Sequence, residues 1–179
     1  SQKLTVKTGI SGLFIKQDYN NIFFSKPRNM ARYGLLILNK GSWNGTSILT
    51  DTAYFRQMVN SSQNLNPAYG YLWWLNGKSN FMVPGFHFVF QGSLNPSAPK
   101  DMFAALGKNG QILNIVPSQN LIYVRMGNIS TTSEVPITFN DTIWQKLNRV
   151  MCSKLSVKNE SISKIEVYPN PFTNQFRIQ

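Results

Sequence analysis

Met30, Tyr33 and Ile37, with either Leu36 or Leu38, recur at helical spacing, and Ala31, Gly34 and Leu35 fill an adjoining stripe. This pattern predicts the clearest helix of the chain. Ser25 is its expected N-cap. Pro27 falls in the first turn, where a missing N–H costs nothing. Gly41 is its expected left-handed stop. An interior glycine costs about 1 kcal/mol against alanine, so Gly34 predicts another backbone close by.

Residues 1–24 read as irregular or short-strand structure, with a brief apolar run at Ile22-Phe23-Phe24. Trp43-Asn44-Gly45 reads as a turn. Thr50 or Asp51 is expected to cap a short helix carrying Ala53, Tyr54, Phe55, Met58 and Val59. Residues 61–67 read as a polar loop, residues 69–75 as an aromatic strand, and Asn76-Gly77 as a tight turn. Residues 84–100 hold three prolines and two glycines and read as a long functional or covering connection.

Three strands are expected next, at 102–106, 112–116 and 121–126. Their short turns require antiparallel neighbours. Asn140 or Asp141 is the expected cap of a last helix, with Ile143, Trp144, Leu147, Val150 and Met151 on one face to cover the sheet. Residues 152–164 are polar and rich in Ser and Lys, as a linker would be. A new apolar alternation begins at Ile165.

Composition narrows the class. Hydrophobic residues make up 42% of the 179 positions, enough for a core, while only 14% are charged. Asn, Ser, Thr and Gly are plentiful, which points to a secreted, loop-rich and sheet-rich protein. The net charge is +11. The densest basic run, Lys146, Arg149, Lys154, Lys158 and Lys164, lies on a helix end and the segment after it. Dispersed basic residues read as a solubilising surface, so no nucleic-acid partner is expected, with a basic polyanion-binding module as the alternative this charge leaves open. Cys152 is the one cysteine, which rules out an internal disulfide, and His87 is the one histidine. No His/Cys/Asp/Glu group has metal-ligand spacing, so neither metal nor cofactor is expected. No apolar stretch approaches the ~20 residues of a membrane helix. A start at Ser1-Gln2-Lys3, without methionine, leads to the expectation that an N-terminal part is missing.

Three segments carry a resemblance. Arg28-Asn29-Met30-Ala31-Arg32-Tyr33-Gly34-Leu35-Leu36 resembles a helix of the β-lactamase-related serine hydrolases, in the β-lactamase and penicillin-binding-protein superfamily. Tyr69-Gly70-Tyr71-Leu72-Trp73-Trp74 resembles their Tyr-Gly-Tyr-x-Trp-Trp strand. Residues 103–111, with Val116-Pro117 and Leu121 to Val124, resemble their closing hairpin. The likeness covers roughly residues 1–150 in order. It implies an α+β fold (an α/β sandwich): an antiparallel sheet flanked by helices on both faces, an all-helical insertion, and here a partial β-lactamase or DD-peptidase-like fold. Residues 1–151 would be the C-terminal part of that domain. Ile165-Glu166-Val167-Tyr168-Pro169-Asn170-Pro171-Phe172 resembles the opening of the type A C-terminal sorting domain of type IX secretion. That likeness implies that residues 165–179 engage the secretion machinery, with export across the outer membrane to the cell surface or medium.

The superfamily's chemistry is acyl transfer to a serine, with a lysine three residues on along the same helix face. A Tyr-x-Asn loop and a Lys- or His-x-Gly strand complete the site. The resemblance places the first two motifs upstream of this segment, so no catalytic residue is expected in the chain and the fragment is expected to be inactive alone. The full protein would act on a small acyl substrate, an ester, amide or peptide. Ser97-Ala98-Pro99-Lys100, Ser161-Ile162-Ser163-Lys164, Tyr19-Asn20-Asn21 and Lys7-Thr8-Gly9 have the right letters in unsuitable places. Gly107, Lys108, Asn109, Gly110 and Gln111 are the candidate substrate-binding residues. Either Lys108 or Asn109 would stand for the basic residue, or a degenerate motif would lie at Phe103-Ala104-Ala105; the same letters also spell an ordinary β-turn. Of Trp73 and Trp74, on opposite sides of a strand, one is expected in the core. The missing strands would leave one sheet edge unpaired, and a chain poorly soluble on its own.

Overall fold

The computed structural model describes residues 2–17, 20–129, 134–151, 167–168 and 177–178. The opening is more regular than its sequence suggests: helix α1 (Gln2–Thr8) leads into an antiparallel hairpin of β1 (Gly12–Gln17) and β2 (Asn20–Ser25). Leu13, Phe14, Ile15 and Phe24 of that hairpin are exposed.

Helix α2 (Pro27–Leu38) follows, with Pro27 at its first position as the pattern requires. Its N-cap is Lys26, with no side-chain capping bond, rather than Ser25. Ser25 belongs to β2, and its hydroxyl donates to the Ser11 carbonyl at 2.6 Å. At the other end the Gly41 N–H donates to the Leu36 carbonyl and the Lys40 N–H to that of Ile37, the pair of bonds of a Schellman stop. Lys40 (φ 52°) takes the first left-handed position and Gly41 (φ 84°) continues it.

Asn44-Gly45, both at positive φ, turn between β3 (Ser42–Trp43) and β4 (Thr46–Ser47). Asp51 caps α3 (Thr52–Met58) by accepting from the Tyr54 N–H at 2.8 Å. The aromatic segment after it is mostly turn. Only β5 (Trp74–Leu75) is strand, because Leu72 sits at φ 63° and the Gly70 N–H folds back to the Trp73 carbonyl. A short hairpin, β6 (Asn80–Phe81) with β7 (Phe90–Gln91), interrupts the long connection.

The central sheet is antiparallel in the order β10-β9-β8-β5, with β8 (Phe103–Gly107), β9 (Gln111–Val116) and β10 (Leu121–Arg125) as consecutive neighbours. Side chains alternate along β9. Leu113 and Ile115 join Ile37, Trp73 and Phe103 in the larger core, on the α2 face. Val116 and Asn114 face α4 (Ile137–Val150): Val116 packs with Met102 and Trp144, and Asn114 bonds Asn140. Helices therefore cover both faces of one sheet, and the fold is α+β. Residues 39–73 contain only one helix, the seven-residue α3, so no all-helical insertion is found among the described residues. β10 has a strand partner on one side only among the described residues.

Helix α4 begins at Ile137 with Pro136 at the cap position, one turn ahead of the expected start at Asn140 or Asp141. Both side chains are taken up by tertiary hydrogen bonds instead. Beyond α4, β11 (Val167–Tyr168) pairs antiparallel with β12 (Arg177–Ile178). Cys152 and the linker lie outside the described residues.

Gly34 is buried against side chains and not against a backbone. An added Cβ would lie 2.7 Å from Ile122 Cγ2 and 2.9 Å from Leu113 Cδ1. Alanine would gain about 1 kcal/mol of helix propensity, while forcing a methyl into a packed interface costs typically 1–3 kcal/mol. Gly34→Ala is therefore expected to destabilise the chain by about 1 kcal/mol, read from a urea titration. A stabilised variant would refute the close packing.

Candidate functional site

The hairpin joining β8 to β9 closes on Gly107 paired with Gln111. Lys108 and Asn109 project into solvent and Gly110 is buried. Asn109 (φ 62°) and Gly110 (φ 81°) are both left-handed, which explains Asn and Gly as turn residues. A Cβ on Gly110 would also lie 2.6 Å from Ile129 Cγ2, so that glycine serves packing as well.

Arg125 ties the turn down. Its Nη1 donates to the Gly110 carbonyl at 2.8 Å and to that of Gly127 at 2.7 Å, and its Nη2 donates to Asn128. The guanidinium lies over the Phe139 ring, 4.9 Å from its centroid. Gln111 Nε2 donates to the Gly127 carbonyl, and its Oε1 accepts from the Gly127 N–H. Two of the five candidates, Gly110 and Gln111, are thus occupied in holding the turn. Lys108 and Asn109 are left exposed beside a strand edge. β5 pairs only with Phe103 and Ala104, so Ala105 to Gly107 have β9 on one side and no strand on the other among the described residues.

The lookalike motifs separate clearly. Lys7-Thr8-Gly9 ends α1, where the Thr8 hydroxyl donates to the Leu4 carbonyl, so it is no strand motif. Tyr19 and Ser161-Ile162-Ser163-Lys164 lie outside the described residues. Ser97 is turned towards Asp141: its N–H donates to Oδ1 at 2.8 Å and its hydroxyl to Oδ2 at 3.1 Å. Lys100 is exposed and does not meet the Ser97 hydroxyl. His87 is exposed in the β6–β7 loop.

Behind Ser97 lies a buried amide cluster. Asn140 Nδ2 donates to Asn95 Oδ1 at 3.0 Å and to Asn114 Oδ1 at 3.2 Å, and Asn114 Nδ2 donates back to Asn140 Oδ1 at 2.7 Å. Asn95 Nδ2 donates to the Ile137 carbonyl. Asn76 Nδ2 donates to the carbonyl of Asn95, and its Oδ1 accepts the Asn95 N–H. These bonds fix the connection before β8 to the first turns of α4.

That fixed frame supports a cleft of about 1120 Å³ between the 81–96 segment and the start of α4. Phe81, Phe86, Phe88 and Phe90 line it, together with Glu134 and Asp141. A reading by length marks this connection as functional or covering, without singling out its aromatic residues. The cue it passed over was four phenylalanines within ten residues, a density that an ordinary surface loop does not carry.

Both tryptophans of the aromatic segment are buried. Trp73 stacks on Tyr33 at 6.3 Å and meets Phe103 edge-on at 5.2 Å, while Trp74 packs edge-on against Tyr69 at 4.8 Å. Burial raises the Tyr33 hydroxyl above the usual tyrosine value, with a smaller push from Tyr54. Burial also raises Tyr69.

No protein-family model matches the chain, and no curated protein matches it. Among solved structures it is similar to a Bacillus anthracis protein provisionally named a 6-aminohexanoate-dimer hydrolase, with 22% identity and a TM-score of 0.48. That match covers 76% of this chain and 34% of the solved chain, so this chain spans about a third of that protein's length. The functional reading rests on the residues of this chain.

Proposed function

We propose that this chain is the sheet-bearing part of a serine acyl hydrolase related to the β-lactamases and penicillin-binding proteins. Its substrate would be a small ester, amide or peptide. One observation carries the reading: the three segments with hydrolase-like letters pack on one another. Tyr33 of α2 stacks on Trp73, Trp73 meets Phe103 at the start of β8, and β8 leads into the Gly107–Gln111 turn.

In this reading the open edge at Ala105–Gly107 lies alongside the substrate, and exposed Lys108 or Asn109 offers a donor there. The nucleophile and its lysine come from a preceding segment. The Ser97 hydroxyl supports that assignment, since it is committed to Asp141 and sits by no lysine. We also propose that residues 165–179 open a type IX sorting domain and that the protein is exported to the cell surface or medium; the pairing of Val167–Tyr168 with Arg177–Ile178 suits a small β unit.

The expected result is no p-nitrophenyl ester or nitrocefin turnover by residues 1–179 on a soluble carrier, with Ser97→Ala making no difference. Joined to the encoded preceding segment, the protein should turn over substrate, and Ser→Ala in an upstream Ser-x-x-Lys should abolish it. Turnover by residues 1–179 alone that disappears in Ser97→Ala would sink the proposal. A preceding segment without Ser-x-x-Lys would leave a surface binding protein on a hydrolase-like scaffold.

A further inference from the structure

We propose that the cleft between the 81–96 segment and α4 binds a small organic cation, a protonated amine on an aromatic or aliphatic body. This site is separate from the β8–β9 turn and independent of the hydrolase reading. None of the residues Gly107 to Gln111 lines it.

The aromatic wall is continuous. Phe81 stacks on Phe90 with ring centroids 5.2 Å apart, and Phe88 meets Phe90 edge-on at 4.9 Å. Phe86 and Phe88 are 63% and 62% exposed, although they line a cavity of about 1120 Å³. Large apolar side chains clustered around a concavity mark a binding surface, and ligand sites commonly occupy roughly 300–1,000 Å³. This cleft lies slightly above that range, as an open groove would.

Charge selects the occupant. The chain carries 18 Lys and Arg residues against 7 Asp and Glu. The cleft reverses that balance, with Glu134 and Asp141 in its lining and no Lys, Arg or His among the described residues that line it. The Asp141 carboxylate is held in place by Ser97 and by Gln145 Nε2 at 3.1 Å. The first turn of α4 also lines the cleft, and a helix start favours anions. Its effect equals only about +0.5 charge, so the two carboxylates outweigh it. A cation over a phenylalanine face is attracted by the ring quadrupole, and an anion there is repelled by ring and carboxylate alike.

The test uses residues 1–179 on a soluble carrier, with the carrier alone as blank, and three probes of one shape: 3-phenylpropylamine, 3-phenylpropanol and 3-phenylpropionate. Titration calorimetry at pH 7 should show the amine binding at least about tenfold more tightly than the alcohol, and the carboxylate weakest, tenfold being 1.4 kcal/mol. Glu134→Gln should weaken the amine several-fold and leave the alcohol unchanged. Phe88→Ala, at an exposed position that the core does not use, should weaken amine and alcohol together. Far-UV circular dichroism confirms that both variants keep the fold. Equal binding of the three probes, a preference for the carboxylate, no amine binding at millimolar concentration, or amine binding indifferent to both variants would each overturn the proposal.

Discussion

Trp144→Ala should lower the unfolding free energy by about 4 kcal/mol, in the range of core aromatic truncations. Trp144 is fully buried, and it joins α4 to the sheet through Met102 and Val116. Its indole Nε1 has no hydrogen-bond partner, although the atom is buried. An unpaired buried donor costs about 1–3 kcal/mol. Trp144→Phe removes that donor while keeping most of the ring, and it should cost only about 1 kcal/mol as lost volume and relieved desolvation offset each other. Urea midpoints for the two variants check this. A phenylalanine variant as unstable as the alanine one would mean that the indole N–H is satisfied.

Asn140→Ala is the second large effect, about 3 kcal/mol of destabilisation. Losing its amide leaves the Asn114 side chain without its hydrogen-bond partner and removes the donor to Asn95 Oδ1. Both residues are fully buried, so water does not replace the lost bonds cheaply. Most of the penalty comes from the orphaned partner, so Asn114→Ala combined with Asn140→Ala should cost at least about 1 kcal/mol less than the sum of the single variants. Strict additivity in that double-mutant cycle would show that the two amides do not act as a pair. The same lesion should loosen the cleft, because Asn95 and Asn140 anchor its two sides.

What was legible in the residues followed from short-range rules. The three-strand unit at 103–125 needed only alternation and tight turns, and its register follows from Gly107 meeting Gln111. Pro27 and Asp51 marked helix starts because capping is decided within four residues. The same rules misled where a polar side chain had a distant partner. Ser25, Asn140 and Asp141 look like caps, yet they bond Ser11, Asn95 and Ser97. Residues 69–75 look like a strand, but the Cβ-free Gly70 sits against the Met58 carbonyl and turns the chain there.

By itself the sequence determined the elements: local periodicity and turn chemistry are enough to specify three antiparallel strands and a helix to cover them, while helices on both faces came from the resemblance. It also named the β8–β9 turn as a candidate site, through letters whose local geometry is self-contained. Tertiary structure alone decided that Gly110 and Gln111 brace that turn, that Ser97 faces an aspartate, and that four phenylalanines and two acids share a cleft. Those arrangements join residues far apart along the chain, and no rule of spacing reports on such a pair until packing brings it together.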